Sequence, residues 1–523
     1  MLGGMGSIRA AAGWVTGWTA VGMAVLGYHP YAEDGGLYVA EIKHRIDPGL
    51  YPWGTEFVAG HLGFAGFTGA MAWAVKTLGM SLDWVLLGVY AVSLWGMLLG
   101  VWCIAGRCYG DRRAQIGAVG LVAVWLGVPV GGTSMYLADP YLTARSVAIA
   151  LTVMGLAAGV WRRWAWAAVA VGMAVAVHPL MGGYGVVELG GLWCVLPRMD
   201  SGCPTSQKRD VGHPGLVAAF LLGALVVGWV GQASGAPESE EYVRVAITRY
   251  YWFLSAWQWF EWVGLVAPMM ILGWFAWRSR IEGEKAIARW AVLVGGAAVL
   301  VALLYAREGA RVHVVARLQP LRMMQMVYLT MAMVLGATVG RRVLRGVVWR
   351  WVVGLGVMAG VMFFVARETY PGSNALELPW VAPRNAWVRA FVWVREHTPR
   401  DAVFAIDANY VHWDGEDAQG FRAIAERSVL PDAAKDGGIA SIRPELVGAW
   451  AAGEKAQAAL TKKTDAERVA AVAGMGASWV VLGREGVTGF VCPYENERLR
   501  VCRLPVRSRP EPTSQKRDVG HPD

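Results

Sequence analysis

Charged residues are scarce in this chain: only 17% of its 523 residues are Asp, Glu, Lys or Arg, against about 25% in soluble domains. The deficit lies between Arg9 and Ala366, where apolar runs of roughly 16 to 25 residues, about the length that crosses a bilayer, follow one another. After Arg367 the composition is that of an ordinary soluble domain. The pattern excludes a soluble globular protein and predicts a helical membrane bundle followed by a soluble domain.

Two kinds of motif are also missing. The six cysteines show no metal-ligand spacing, so they predict no metal site. The chain has no Gly-x-x-x-x-Gly-Lys-Ser/Thr sequence, so a P-loop ATPase pump is not expected. The net charge of +9 comes mostly from basic residues at the ends of apolar runs, where they set membrane topology, and it indicates no nucleic-acid partner.

The apolar runs predict eleven membrane-spanning helices. The first run could be taken for a signal peptide, but no small-residue cleavage site follows it, so we interpret it as an uncleaved first span. The fold class is therefore mainly α, a polytopic helical membrane bundle with a small C-terminal α/β soluble domain. The expected spans lie near 10–28, 82–106, 114–130, 146–161, 164–179, 180–197, 216–232, 257–277, 290–305, 321–339 and 348–366. The predicted domains are the membrane bundle 1–366, a linker 367–384, the soluble domain 385–505 and a disordered tail 506–523.

Arginine placement orients these spans. With a cytoplasmic N-terminus every cytoplasmic loop is basic, as the positive-inside rule requires, and an odd number of spans places the C-terminal domain outside the cytoplasm. Counting the apolar segment 57–80 as a span would invert the first basic loop. We interpret it as an interfacial or re-entrant segment on the outer face, with a true span as the alternative. The cytoplasmic basic residues are Arg107, Arg112, Arg113, Arg162, Arg163, Arg198, Lys208, Arg209, Arg278, Arg280, Lys285, Arg289, Arg341, Arg342 and Arg345.

Polar residues with chemical potential gather in the predicted outer loops. Glu33 and Asp34 directly follow the first span, where a carboxylate can act as a general base at the membrane surface or anchor a metal ion. The alternative is a solvated acidic turn. Asp139 before Pro140 could merely start a turn. The other outer candidates are His29, Arg145 and His178, and a histidine at a span end such as His178 is usually a cap.

A second outer loop breaks the charge rule. Residues 306–322 contain Arg307, Arg311, Arg317 and Arg322 on the side where basic residues are not expected. One explanation is an anionic ligand such as a lipid phosphate. The other is pairing with Glu308 and lipid headgroups.

The C-terminal part reads as mixed α/β. An amphipathic helix is predicted over 385–397, strands over 402–406, 428–430 and 479–482, helices over 416–427 and within 444–474, and a hairpin over 489–504. Cys492 and Cys502 lie on the two arms of that hairpin and could form a disulfide outside the cytoplasm. One peptide of eleven residues occurs identically at 204–214 and 512–522. Because the two copies are expected on opposite sides of the membrane, we interpret them as a translated DNA repeat in disordered segments.

This layout resembles the GT-C superfamily of membrane glycosyltransferases, which use polyprenyl-phosphate sugar donors. The first outer loop with Glu33 and Asp34, the juxtamembrane segment after it, the outer turn Asp139-Pro140, the many spans and the C-terminal domain carry the resemblance. The tail resembles bacterial members in Trp393-Val394-Arg395-Glu396-His397-Thr398-Pro399 with Asp401-Ala402-Val403-Phe404, and in Phe421-Arg422 with Glu426-Arg427-Ser428.

The resemblance implies roles for these residues. Asp34 or Glu33 would be the base that activates the acceptor, and Asp139 a second acidic residue of the site. His29 and His178 would lie at the substrate site, and the donor phosphate would be held by Arg145, Arg307, Arg311, Arg317 and Arg322. No cofactor is expected, although a divalent cation could bind at Glu33 and Asp34.

The implied function is sugar transfer from a polyprenyl-phosphate donor to a lipid or polysaccharide acceptor at the outer face of a bacterial inner membrane. Membrane lipids are the other expected partners. The alternative is a non-catalytic transporter, flippase or assembly protein for envelope polysaccharide. A transporter would show inverted repeats and charges at the membrane midplane, whereas the polar residues here concentrate in the outer loops. A GT-C fold that has lost its activity is a third reading.

Overall fold

The computed structural model describes residues 4–59, 65–196 and 214–505. Apart from Pro214, both copies of the repeated peptide and the predicted tail 506–523 lie outside the described residues. The described chain is mostly helical with one five-stranded sheet near its C-terminal end.

Sixteen α-helices precede the soluble domain in the described chain. They are α1 (Gly4–Leu26), α2 (Glu33–Ile46), α3 (Glu56–Ala59), α4 (Gly66–Leu78), α5 (Leu82–Cys108), α6 (Arg112–Val124), α7 (Ala144–Val160), α8 (Trp164–Val177), α9 (Pro179–Val195), α10 (Pro214–Ala233), α11 (Glu240–Ile247), α12 (Trp259–Arg278), α13 (Glu282–Tyr305), α14 (Val314–Leu318), α15 (Met324–Val339) and α16 (Val348–Thr369).

Each of the eleven predicted spans coincides with one of these helices. Six stretches of the described chain are long and apolar enough to cross a membrane, namely α5, α10, α12, α13, α16 and the run Val314–Leu344 that contains α15. Two further apolar helices, α7 and α8, are shorter. The chain is a multi-pass membrane protein, and the count of eleven spans stays a prediction.

The outer surface of the bundle is apolar where lipid would contact it. Along α16, the side chains of Val348, Val352, Val357 and Phe364 are all more than half exposed. Exposed valines and aromatics at this density would be unfavourable in water, because each large apolar side chain gains about 1.5–3 kcal/mol on leaving it. The same surface is the expected one in a bilayer.

The first outer segment is more ordered than the sequence indicated. Where a long loop was expected, residues 33–46 form α2, which packs on α4 and against the soluble domain. The apolar segment 57–80 contains the 13-residue helix α4. At 1.5 Å per residue α4 is about 20 Å long, shorter than the roughly 30 Å hydrocarbon core. Because α6 has the same 13 residues and coincides with a predicted span, both readings of the segment stay open.

Two of the predicted cytoplasmic loops, those after α5 and α7, meet at one end of the bundle. Arg107 lies over the ring of Trp161 at 5.9 Å, and the indole of Trp161 donates to the carbonyl of Cys103 at 2.9 Å. Asp83, at the start of α5, instead bonds Tyr31 near the other end. Since α5 has 27 residues, these two ends are about 40 Å apart.

The soluble domain contains α17 (Ala386–His397), α18 (Phe421–Ala425), α19 (Lys435–Ile442), α20 (Val447–Gln457) and α21 (Asp465–Val472). Its strands are β1 (Val403–Ala405), β2 (Ser428–Val429), β3 (Trp479–Gly483), β4 (Tyr494–Glu495) and β5 (Leu499–Arg503). They form one sheet in the order β2-β1-β3-β5-β4, with β1 parallel to β2 and β3, and β5 antiparallel to β3 and β4.

Local sequence signals explain most of this domain. Asn385 caps α17, because its side-chain oxygen accepts from the backbone N–H of Trp387 at 2.8 Å. Cys492 and Cys502 form a disulfide across the β4–β5 hairpin, which confirms that hypothesis. The helix predicted over 416–427 is wrong in extent: only Phe421–Ala425 is helical. Asp417 and Ala418 have φ values of 62° and 52°, and this left-handed backbone is incompatible with a helix.

Bare backbone contacts hold α6 against α15. A Cβ placed on Gly117 would lie 2.3 Å from the carbonyl oxygen of Gly336, and one on Gly336 would lie 2.3 Å from that of Gly117. Neither distance is attainable for carbon and oxygen, so both positions must be glycine for the helices to approach this closely.

Gly117→Ala should therefore destabilise the protein by about 1–3 kcal/mol, the usual cost of overpacking, measured as a lower thermal midpoint by tryptophan fluorescence in detergent. Gly223→Ala in α10 is the matched control, because nothing lies within 4 Å of its added Cβ. The control should be neutral or slightly stabilising, since alanine favours helix. Equal midpoints for the two variants would contradict the α6–α15 packing.

Candidate active site

The acidic pair occupies the first turn of α2. Glu33 and Asp34 begin this helix, where carboxylates interact favourably with the helix dipole. Glu33 adopts a left-handed φ of 53°, an unfavourable conformation for a residue with a Cβ. Its backbone N–H donates to the carbonyl of Ala418 in the soluble domain at 2.8 Å. The side chains of Glu33 and Asp34 are 38% and 39% exposed, so both carboxylates are accessible.

A buried ion pair lies directly beside Asp34. Asp139, in the loop between α6 and α7, accepts from Nη2 and Nε of Arg145 at 2.7 and 2.9 Å, and both side chains are nearly inaccessible. Burial raises the pKa of Asp139, and the Arg145 guanidinium opposes that shift. Nη1 and Nη2 of Arg145 also lie 3.5 Å from Oδ2 of Asp34. One guanidinium therefore joins two of the three predicted acidic residues.

The third acidic residue joins through the soluble domain. Lys435, the first residue of α19, forms an ion pair with Glu33, and its Nζ lies 3.7 Å from Oδ1 of Asp34. Burial lowers the pKa of Lys435, but Glu33 and Asp34 outweigh burial and raise it overall, so the side chain is cationic. Glu33, Asp34 and Asp139 thus form one cluster with Arg145 and Lys435.

Two glycines let this cluster close. A Cβ on Gly35 would lie 2.7 Å from the carbonyl oxygen of Pro30 and 3.0 Å from Cβ of Tyr141. A Cβ on Gly36 would lie 2.7 Å from the carbonyl oxygen of Tyr31 and 3.0 Å from Cα of Gly420 in the soluble domain. Side chains at 35 and 36 would therefore push α2 away from the loop before Arg145 and from the soluble domain.

Of the four predicted outer arginines, Arg322 acts electrostatically on this cluster. Its charge lowers the pKa of Asp139, and its Nε is buried without a hydrogen-bond partner among the described residues. An orphaned buried guanidinium N–H is costly, and an anionic ligand would satisfy it.

The other three arginines make different contacts. Arg317 bonds Glu238 at 2.8 Å, and Glu238 also accepts from Nδ1 of the buried His313 at 2.6 Å. Arg307, which follows the end of α13, donates to the carbonyl of Leu303 in that helix, and Arg311 is exposed. Pairing thus explains Arg317, but with Glu238 rather than the expected Glu308.

The two predicted histidines have structural partners. Nδ1 of His29 lies 3.0 Å from Glu377, and its ring stacks on Tyr370 with centroids 4.1 Å apart. His178 caps α9 by accepting from the backbone N–H of Met181 at 3.3 Å, as the capping interpretation stated. A substrate role for either histidine stays a prediction.

The sequence reasoning missed the soluble domain's part in this site. Lys43 of α2 bonds Glu426 at 2.7 Å, and Tyr51 donates to the carbonyl of Arg422 at 2.8 Å. No local pattern indicated these contacts, because each joins residues more than 350 positions apart. A search for a cation to balance Glu33 and Asp34 could have found Lys435 only with a tertiary structure.

The cluster fits a divalent metal ion poorly. Such an ion needs several unengaged oxygen ligands, whereas the carboxylates of Glu33, Asp34 and Asp139 each lie against Lys435 or Arg145. In the described part of the chain, no group of three or more His, Cys, Asp or Glu residues is arranged to hold a metal.

Comparisons with known proteins add one finding. No family model and no curated protein matches the chain. One solved structure that matches is the archaeal oligosaccharyltransferase AglB from Archaeoglobus fulgidus, in complex with an inhibitory peptide and a dolichol-phosphate. The match covers 92% of this chain and 70% of that one, with a TM-score of 0.45 and 13% identity. A likeness of this extent assigns no activity to this chain.

Arg145→Gln should destabilise the protein by about 3–5 kcal/mol, because it leaves the buried Asp139 carboxylate without its cation. Adding Asp139→Asn should restore part of that stability, since the unpaired charge is then removed. Arg400→Gln is the control: Arg400 pairs with Asp47 on the surface, where loss of an ion pair has little effect. The readout is the thermal midpoint in detergent, and an unchanged midpoint for Arg145→Gln would contradict the buried pair.

Proposed function

We propose that this protein transfers a sugar from a polyprenyl-phosphate donor to an acceptor at the outer face of the membrane. The observation that carries the proposal is the position of Asp34. Its accessible carboxylate lies 3.5 Å from Arg145. Arg322, whose charge acts on the neighbouring Asp139, has a buried Nε without a hydrogen-bond partner among the described residues. A base beside one guanidinium group, with a second guanidinium that has an unsatisfied N–H, suits a reaction that removes a proton from one substrate and releases a phosphate from the other.

In the proposed reaction Asp34 accepts the proton of the acceptor hydroxyl or amine. The freed electron pair attacks the anomeric carbon of the sugar, and the bond from that carbon to the phosphate oxygen breaks. Its electrons leave with the polyprenyl phosphate, which carries the negative charge. Arg145 and Arg322 would stabilise the charge on that leaving phosphate, because guanidinium groups bind phosphate through paired N–H donors.

The roles of the three carboxylates follow from their surroundings. Asp139 is buried and engaged by two nitrogens of Arg145, so it positions the guanidinium and would not reach a substrate. Asp34 and Glu33 are about equally accessible and both face Lys435, but Asp34 also lies 3.5 Å from Arg145, whereas the backbone of Glu33 is bonded to Ala418. Asp34 is therefore the better candidate for the base.

The position of the cluster suits a lipid-linked donor. It lies at the end of the bundle opposite the basic loops, and the positive-inside rule assigns that end to the outer face. The Cys492–Cys502 disulfide lies in the domain on the same side, and disulfides persist in oxidising compartments. A lipid headgroup at the bilayer surface could then meet Asp34 from the membrane while the acceptor approaches from outside.

Asp34→Asn should reduce sugar transfer by about 10²–10⁴-fold, the usual contribution of a general base. The assay uses protein purified in detergent with a series of radiolabelled polyprenyl-phosphate sugars and membrane extract as the acceptor source. Binding of polyprenyl phosphate should survive Asp34→Asn but weaken in Arg322→Gln. Asp47→Asn, an exposed carboxylate paired with Arg400, is the matched control. Sugar transfer that persists in Asp34→Asn would rule out Asp34 as the base. If the wild type instead moves the intact donor across a vesicle membrane, the result would favour the transporter alternative.

Orientation can be tested by labelling intact cells with a membrane-impermeant maleimide, in a background carrying Cys203→Ser. Val487→Cys, at a side chain 87% exposed in the soluble domain, should react in intact cells. Gly110→Cys, between α5 and α6 at the opposite end, should react only after permeabilisation. The reverse pattern would place the cluster in the cytoplasm and remove the outer-face assignment.

A further inference from the structure

The acidic cluster carries its own counter-charges. The three carboxylates of Glu33, Asp34 and Asp139 face Lys435 and Arg145. Arg145 is shared between Asp139 and Asp34, and Lys435 is shared between Asp34 and Glu33. A chain of alternating charges therefore runs through the site, with Arg145 at its Asp139–Asp34 end and Lys435 at its Glu33–Asp34 end.

The peptide group that joins Ala434 to Lys435 is held by hydrogen bonds at both its N–H and its carbonyl. Its N–H donates to Oδ1 of Asp432 at 2.6 Å, and the carbonyl of the preceding Ala434 accepts from Arg249 at 3.0 Å. Asp432 is itself held in place, because its backbone N–H donates to Oδ2 of Asp436 at 3.0 Å. The ammonium group of Lys435 therefore contacts Glu33 and Asp34 from a backbone that is held in place.

The bracing extends into the core of the soluble domain. Asp436 is fully buried and accepts from Nη1 and Nη2 of Arg422 at 2.7 and 2.9 Å. Buried bidentate pairs of this kind hold their geometry well. Arg422 also donates to the carbonyl of Val429 in β2 at 3.1 Å, so the position of Lys435 is tied to the sheet.

We propose that Lys435 is the resident cation of the acidic site and occupies the place between Glu33 and Asp34 that a divalent metal ion would take. Sugar transfer at this site then needs no divalent metal. The statement about sugar transfer rests on the proposed function, whereas the statement that Lys435 is the resident cation does not. Lys435 is a positioning residue, because it acts through the two carboxylates and not on the reacting atoms.

Charge and geometry both support this assignment. A divalent ion between Glu33 and Asp34 would meet the ammonium of Lys435 at the distance of an ion pair, and like charges so close repel strongly. The start of α19, which carries Lys435, is held by hydrogen bonds that involve Asp432, Asp436 and Arg249. These bonds keep the lysine beside the two carboxylates. An ion of that charge would also lack the six or more oxygen ligands that calcium prefers, or the regular octahedron that magnesium requires.

Titration with Mn²⁺, followed by electron paramagnetic resonance on the full-length protein, tests the proposal without any transfer assay. Wild type should show no Mn²⁺ site that depends on Glu33, so wild type and Glu33→Gln should bind Mn²⁺ equally. Lys435→Met should gain a site with a dissociation constant of about 1 mM or tighter, the weak end of protein cation sites, because the adjacent carboxylates of Glu33 and Asp34 lose the ammonium group that they share. Adding Glu33→Gln to Lys435→Met should abolish that gain.

Two controls define the gain. Lys455→Met removes an exposed lysine from α20 of the same domain and should gain no site, whereas Lys435→Arg keeps the charge and should gain none. A wild-type Mn²⁺ site that is lost in Glu33→Gln would overturn the proposal, and so would a folded Lys435→Met protein that gains no site.

Chelation supplies a measurement that needs no variant. Transfer by wild type should be unchanged in excess EDTA, and a loss that Mn²⁺ or Mg²⁺ restores would overturn the proposal even if Lys435→Met did not fold. Absence of any transfer by wild type would instead count against the proposed function, and the Mn²⁺ titration would still decide the role of Lys435.

Discussion

The buried guanidinium of Arg145 is the interaction on which the rest of the site depends. Arg145 is the second residue of α7. Its guanidinium binds Asp139 from the preceding loop and reaches Asp34 at the start of α2. A charge this well buried is stable only with a partner, so the pair fixes the loop before α7. That loop in turn touches the turn before α2, since the backbone N–H of His29 donates to the carbonyl of Pro140 at 2.7 Å. The outer ends of the first helices are therefore organised around one cation.

The membrane bundle could be predicted well because its signal is local. Apolar run length and arginine placement located a helix at each of the eleven predicted segments, since a bilayer forces every spanning segment to satisfy its own backbone. The helix α2 was missed for the opposite reason. Its sequence is polar and contains Gly35 and Gly36, and it is stabilised by packing against Tyr141 and Gly420, contacts that no local pattern encodes.

The site itself was predictable only in part. Glu33, Asp34, Asp139 and Arg145 were singled out by their place after span ends, and the structure brings them together. The arginines of 306–322 were taken as one group, yet Arg317 pairs with Glu238, whereas Nε of Arg322 has no hydrogen-bond partner in the part of the chain that the structure describes. Composition gives the side of the membrane on which a cation lies, but not its neighbour. Lys435 was overlooked because it lies some 400 residues from Glu33 in the chain.

The soluble domain is consequently a structural component of the acidic site and not a separate cover over it. Glu33 holds a left-handed backbone that an L-residue disfavours by about 1–2 kcal/mol, and the groups that compensate, the Ala418 carbonyl and the Lys435 ammonium, both belong to that domain. Lys43 and Tyr51 add further bonds between the same two parts. A bundle without the domain would lose the counter-charge of Glu33 and the contact that holds its backbone. If the first turn of α2 then relaxed toward ordinary helical geometry, Asp34 would move away from Arg145. Docking of the soluble domain therefore helps to hold the proposed base beside the proposed phosphate-binding arginine.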